Sequence, residues 1–338
     1  MIGTVLAVAL VVLFLWDSVK AEDGITNDCT LLLKGTGAVL VFVHHIAGVT
    51  DGGILNRMNF PAVSIFFLLA GYGLMYGVMN KEGYIHKIIS EKIPVIVVWS
   101  LFSALCAVIF NLLVGEPVSL RDVILCFTGN RILNWFFTAL ILHYLMFALA
   151  AVASGKNQIK LLRLLFALTI LYMIVCRVFI QRTSWYASSL AFPTGSAIAY
   201  YYLTKKCVCK SGGGNRRVLL LGIAFLITFA CVFLGGNGFI DRIFRLVCQL
   251  ISAEFFAILC LLLCVGHKSK GFLAWCGKNS AQFLFVQNIS LYALRNNRIW
   301  IENNALFTAG IIVIQFFLVL VSESIYGKLK TMIVRRKR

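Results

Sequence analysis

Lys34 and His45 stand eleven residues apart in an otherwise apolar run from Leu31 to Gly48. In a helix, that offset returns to within roughly 20° of the same face, about 16 Å further along the axis. One face then carries an ammonium group at a membrane boundary and an imidazole well inside the hydrocarbon. His44, one position earlier, points elsewhere. Ionisable groups at membrane depth are costly and usually functional. An ammonium group suits phosphate, and an imidazole can take the proton of an attacking hydroxyl. The structural alternative is a topogenic lysine next to two histidines that are hydrogen-bonded within a bundle.

The elements that must position these groups are membrane helices. The chain has 338 residues, of which 60% are hydrophobic and only 13% charged. A soluble domain carries roughly 25% charged residues. Apolar runs occur near residues 2–16, 35–48, 60–79, 93–113, 133–153, 161–181, 186–203, 218–234, 243–265, 272–294 and 305–327. Most approach the length that crosses a bilayer. The expected fold class is therefore an all-α polytopic membrane helix bundle of about eleven segments. With four prolines and no low-complexity tract, no separate soluble domain is expected.

The net charge of +18 invites a nucleic-acid reading, but the placement of the charge argues against it. If the Lys34 end faces the cytoplasm and the connections alternate, the cytoplasmic side collects about threefold more Lys and Arg than the opposite side. That asymmetry accounts for the basicity. The first segment, Met1 to Trp16, has no charge before Asp17, whereas a signal peptide opens on a basic region. It reads as an uncleaved extra helix with its N-terminus outside. Seven of the eleven cysteines lie in or at the ends of apolar segments and read as small hydrophobes. Cys207 and Cys209 have no further ligands at metal spacing, so no metal is expected.

Lys34-Gly35, the apolar run and His45 resemble the opening of the acyltransferase-3 family of integral membrane acyltransferases. That family has a basic residue, then Gly, then His eleven positions after the basic residue. Phe66-Phe67-Leu68-Leu69-Ala70-Gly71-Tyr72 resembles its FFxxSG(F/Y) signature, with Ala70 in place of the serine. The loop at 80–94 holds Lys87 and Lys92 where the family carries two arginines spaced by two residues. Asn134-Trp135-Phe136-Phe137 resembles a Trp-Phe motif at the start of a family helix, although aromatics also anchor at interfaces. Phe192-Pro193-Thr194-Gly195 is similar to a Phe-Pro-x-Gly turn, where glycine permits close packing or an unwound carbonyl. Gly277 and Ser280 fit a GxxSxxxYxxH stretch, in which Gln287 replaces the histidine. The resemblance covers residues 31 to 327 and implies a ten-helix core. Residues 1–30 would add the extra helix and its connection, and residues 328–338 a basic cytoplasmic tail.

What the resemblance implies is an O-acyltransferase, specifically an O-acetyltransferase, in the bacterial cytoplasmic membrane. Acyl-CoA, with acetyl-CoA as the expected donor, would be a co-substrate rather than a resident cofactor. Lys34, Lys87 and Lys92 would contact it, and His45 would be the general base. His44, Gly71, Tyr72, Trp135 and Gln287 would contact the acceptor, a hydroxyl on a cell-envelope glycan or its lipid-linked precursor. Membrane lipids and a second copy of the chain are the other partners. The runner-up is a transporter that moves an acyl group or glycan intermediate without chemistry. His143 reads as a core histidine or a pocket group. Arg177, Arg245, Glu254 and Glu323 are deep enough to need partners, and an ion pair from Glu254 to Arg177 or Arg245 is one arrangement.

Overall fold

The computed structural model describes residues 2–21, 24–50, 52–127, 135–205, 215–234 and 238–336. The chain opens with α1 (Ile2–Asp17), the short strand β1 (Ser18–Lys20), α2 (Asn27–Val49) and α3 (Asn59–Asn80). A short α4 (Tyr84–Lys87) runs through a π-helical turn at Ile88–Lys92 into α5 (Ile93–Leu113), followed by α6 (Leu120–Phe127). Next come α7 (Trp135–Ser154), α8 (Gln158–Val175), α9 (Ala191–Lys205), α10 (Asn215–Cys231) and α11 (Phe239–Cys264). Strand β2 (His267–Ser269) precedes α12 (Phe272–Lys278), α13 (Ser280–Ala293) and α14 (Asn304–Arg336).

Among the described residues, seven helical stretches are long and apolar enough to cross a membrane. The chain is an all-α, multi-pass membrane helix bundle. Its outer surface carries exposed Val5, Val8, Val98, Leu149, Ile174, Leu226 and Val313, as a lipid-facing shell requires. The second and third apolar segments, α2 and α3, form its most enclosed part.

Four glycines set how closely the inner helices cross. A methyl group on Gly35 would overlap the carbonyl oxygen of Leu273, and one on Gly277 would overlap that of Leu31. Gly71 meets the carbonyl of Phe192 in the same way, and Gly195 that of Leu68. Two reciprocal pairs thus bring α2 against α12 and α3 against α9 with backbone touching backbone. Without a hydrophobic drive between helices in lipid, such close contact supplies the association energy. Ser196 Oγ adds a hydrogen bond to Gly71 O at 3.1 Å. Ser64 Oγ lies 2.9 Å from Ala253 O and ties α3 to α11.

Several expected boundaries shift. The segment expected at 272–294 is broken at Asn279 into α12 and α13. The 186–203 segment becomes helical only from Ala191, after a turn that buries Trp185, Tyr186 and Ala187. Gly195 lies within a continuous α9, so its role is close packing and not an unwound carbonyl. The tail beginning at 328 continues α14 as helix to Arg336. Neither α6 nor the β1–β2 ribbon is visible in the sequence pattern, because both depend on distant partners or on a few residues.

The ribbon joins α1 to the core. Ser18 pairs with Ser269, Val19 with Lys268 and Lys20 with His267, antiparallel. Asp17 is buried and caps α12, accepting from Leu273 N at 2.9 Å and from Phe272 N at 3.3 Å. Ser269 Oγ also donates to its carboxylate. A buried carboxylate on the first amides of a helix satisfies donors that would otherwise have no partner.

Candidate functional site

Three cavities cut into the bundle. The first, about 560 Å³, is lined by His44, His45, Asn59, Phe66, Trp135, Arg182, Gln287 and Asn288 among others. It therefore gathers residues from the C-terminal half of α2, the start of α3 and α7, the turn after α8, and the far half of α13. The chain enters it at Gln181, the one non-glycine residue with positive φ (59°) among those described. Gln181 N closes the preceding π-helical turn on Cys176 O at 2.9 Å. The left-handed residue then redirects the chain, so that Arg182 to Trp185 line the cavity.

The two histidines are held differently. His44 Nδ1 lies 3.2 Å from Leu55 O, supplied by the 3-10 turn Gly53–Arg57. A carbonyl oxygen only accepts, so Nδ1 carries the hydrogen and Nε2 of the neutral ring is an acceptor. Its ring centroid is 4.9 Å from that of His45. No described residue hydrogen-bonds the His45 ring, which faces the cavity. Arg295 fixes the end of α2 nearby by donating from Nη1 to Val49 O at 2.8 Å. Gln287 is buried, and its Oε1 has no hydrogen-bond partner.

The second cavity, about 380 Å³, lies toward the opposite end of the same helices. Lys34, Ala70, Gly73, Tyr84, Lys92, Trp99, Tyr144 and Ser280 help line it. Lys34 and Lys92 are its two cations, and no Asp or Glu is among its described lining residues. Phe66, Phe136, Phe137 and Leu284 line both this cavity and the histidine cavity. Those four side chains form the partition between them. Edge-on contacts order it: Phe66 to Phe136 at 5.9 Å and Phe136 to Phe137 at 5.3 Å. Lys34 and His45 thus open onto opposite sides of one aromatic wall, from one face of α2.

A third cavity of about 750 Å³ adjoins the histidine cavity, sharing His44, Asn59 and Thr183. Arg57, Arg177, Arg242 and Arg245 line it.

Of the sequence-predicted site residues, His44, His45, Trp135 and Gln287 meet in the first cavity, and Lys34 and Lys92 in the second. Lys87 is exposed on α4 and lines none of the three. Gly71 and Tyr72 also line none of them. Gly71 is spent on the α9 contact, and Tyr72 stacks on Tyr76 at 6.1 Å. Asn134, in the Trp-Phe stretch, and Cys207 and Cys209 lie outside the described residues. Sequence reasoning misses Asn59, Arg182 and Asn288, although Asn288 directly follows Gln287.

His143 is a fully buried core histidine that lines none of the three cavities. Its Nδ1 donates to Ala139 O at 2.7 Å, and Phe67, Tyr172 and Phe192 surround the ring. Glu323 accepts from Trp275 Nε1 at 3.2 Å and faces Lys278 at 3.9 Å. Both carboxylate oxygens of Glu254 are buried, and neither makes a hydrogen bond of normal geometry among the described residues. Arg177 and Arg245 line the third cavity. No group of three or more potential metal ligands occurs among the described residues.

Comparison with protein-family models, curated proteins and solved structures finds no match.

Proposed function

We propose that this chain is a membrane-embedded O-acyltransferase of acyltransferase-3 type. It moves an acyl group, in the first instance acetyl, from acyl-CoA to a hydroxyl of an envelope glycan or its lipid-linked precursor. The observation that carries the proposal is the shared wall of Phe66, Phe136, Phe137 and Leu284. It separates a lysine-lined cavity at one end of the bundle from a histidine-lined cavity at the other. A donor with a phosphorylated head and an acceptor from the opposite side can then meet at one partition.

Eleven crossings place the Lys34 end and the end of α14 in the cytoplasm of a bacterial cell. Lys34 and Lys92 hold the donor's phosphates, and the thioester projects along α2 toward the wall. His45 accepts the proton of the acceptor hydroxyl as its oxygen attacks the thioester carbonyl. The carbon–sulfur bond breaks, and the proton passes to the departing thiolate. Gln287 offers Oε1 and Trp135 an aromatic face to the acceptor. The hydrogen bond from His44 to Leu55 supports a second reading, in which His44 Nε2 is the base and His45 lines the pocket.

The competing reading is a transporter without chemistry, since intramembrane charges also mark transport paths. The purified chain in proteoliposomes, supplied with acyl-CoA and an envelope-glycan extract, separates the two. The acyltransferase releases free thiol in step with ester appearing on the glycan by mass spectrometry. Unchanged acyl-CoA and an unmodified glycan would leave the transporter.

A further inference from the structure

Two cysteines face each other across consecutive helices at the histidine end of the bundle. α10 and α11 pack side by side, and the ring of Phe225 lies 5.0 Å from that of Phe256 between them. In an antiparallel pair, a step of seven residues, about two turns, up one helix and down the other returns to a facing pair. That register sets Val232 against Gln249, and both line the third cavity. Cys231 and Cys248 are their neighbours in the chain, and the two sulfurs are within hydrogen-bonding reach of each other. Both are free thiols. Cys248 is buried, while Cys231, the last residue of α10, is partly open.

The side of the membrane decides what such a pair does. Val232 and Gln249 share their cavity with His44, which fixes the pair at the histidine end. The orientation proposed above puts that end outside the cytoplasm. There, adjacent thiols oxidise and persist as disulfides, whereas the cytoplasm keeps thiols reduced. The chain carries its own comparison. Cys264 ends α11 near Cys29 at the start of α2, on the Lys34 side.

We infer that Cys231 and Cys248 are a disulfide-forming pair that braces the α10–α11 hairpin beside the third cavity. The oxidant is the disulfide of a dithiol carrier on the outer side. The Cys231 thiol, the more open of the two, loses its proton and attacks that disulfide, and one carrier thiolate leaves. The Cys248 sulfur, also losing its proton, then displaces the second carrier sulfur from Cys231. One sulfur–sulfur bond forms in the chain and one breaks in the carrier. The carrier takes up the two electrons that the cysteines lose, and the two protons end on its thiols. The new bond ties Val232 on the α10 side of the cavity to Leu246 and Gln249 on the α11 side. It limits the freedom of the unfolded chain and so stabilises the hairpin. This inference rests on the orientation of the bundle and not on acyl transfer.

Thiol trapping on the full chain tests it. Bacterial cells with an oxidising periplasm produce the protein and are quenched in acid, and N-ethylmaleimide then blocks every free thiol. After reduction, an isotopically heavy maleimide marks the sulfurs that were bonded, and peptide mass spectrometry locates them. The heavy mark is expected on Cys231 and Cys248, with Cys29 and Cys264 blocked from the start. Cys231→Ser should lose the mark at Cys248, whereas Cys264→Ser should keep both marks. Reductant should lower the thermal midpoint of the purified parent by several degrees and leave that of Cys231→Ser unchanged. Absence of the heavy mark from Cys231 and Cys248 in the parent overturns the proposal, as does bonding of either to another cysteine. A parental midpoint that ignores reductant would deny the brace. Labelling of Ile54→Cys from the cytoplasmic side would overturn the orientation instead, so the two failures are told apart.

Discussion

Gly35 and Gly277 face each other across the α2–α12 crossing, each with its Cα against the other helix's backbone. A methyl group on either would strike a carbonyl oxygen, Leu273 O or Leu31 O respectively, and backbone cannot yield as a side-chain end can. Gly35→Ala should therefore destabilise the bundle by about 1–3 kcal/mol. The thermal midpoint of the purified protein should fall by several degrees. Gly71→Ala should do the same through Phe192 O. Gly73 should tolerate alanine without loss, because an added methyl group there would meet nothing within 4 Å. A parental midpoint in Gly35→Ala would show that the crossing is looser than this backbone contact implies.

These glycines also show how far the sequence can be read. Gly35, Gly71, Gly195 and Gly277 stand out as motif positions, and the apolar periods around them locate the helices that they join. That they meet in two reciprocal pairs is not readable, because each pair spans well over a hundred residues of chain. The same limit hides the arginine cleft. Arg57, Arg177, Arg242 and Arg245 look like separate charges until distant stretches of chain converge. Lys34 and His45 are legible because one helix carries both. Gly71 and Tyr72 lie off the three cavities, and a motif does not reveal which face of its helix opens to a cavity.

The proposed donor site makes its own prediction. Lys34→Ala should weaken acyl-CoA binding, measured by equilibrium binding in detergent, while Lys34→Arg should retain most of it, since phosphate accepts either cation. Lys92→Ala should share the defect because Lys92 lines the same cavity, and Lys87→Ala should not. Normal acyl-CoA affinity in Lys34→Ala would reduce that lysine to a topology signal.

Orientation can be read directly. On a background cleared of native cysteines, Ile54→Cys, at an exposed position of the turn after α2, and Lys81→Cys should label from opposite sides with a membrane-impermeant maleimide, Ile54→Cys from outside. They flank α3, which carries the chain from one end of the bundle to the other. Labelling of both from one side would contradict the alternation.

The cap on α12 predicts that the first helix is part of the stable bundle. Asp17→Ala removes the acceptor for Leu273 N, Phe272 N and Ser269 Oγ. Loss of such a cap typically costs about 0.5–2 kcal/mol. The thermal midpoint should drop while Lys20→Ala, at the end of the ribbon, leaves it near the parent value. An unchanged midpoint in Asp17→Ala would detach α1 from the core's stability.

The central claim is that a histidine beside the aromatic wall takes the acceptor's proton. The most direct measurement is transfer of labelled acetyl from acetyl-CoA to glycan in proteoliposomes. The proteins compared are the parent, His45→Ala and His44→Ala, each shown to be folded by its thermal midpoint. With His45 as the base, His45→Ala should lose transfer by roughly 10²-fold or more, while His44→Ala keeps most of it. Parental transfer rates in folded His45→Ala would contradict that role.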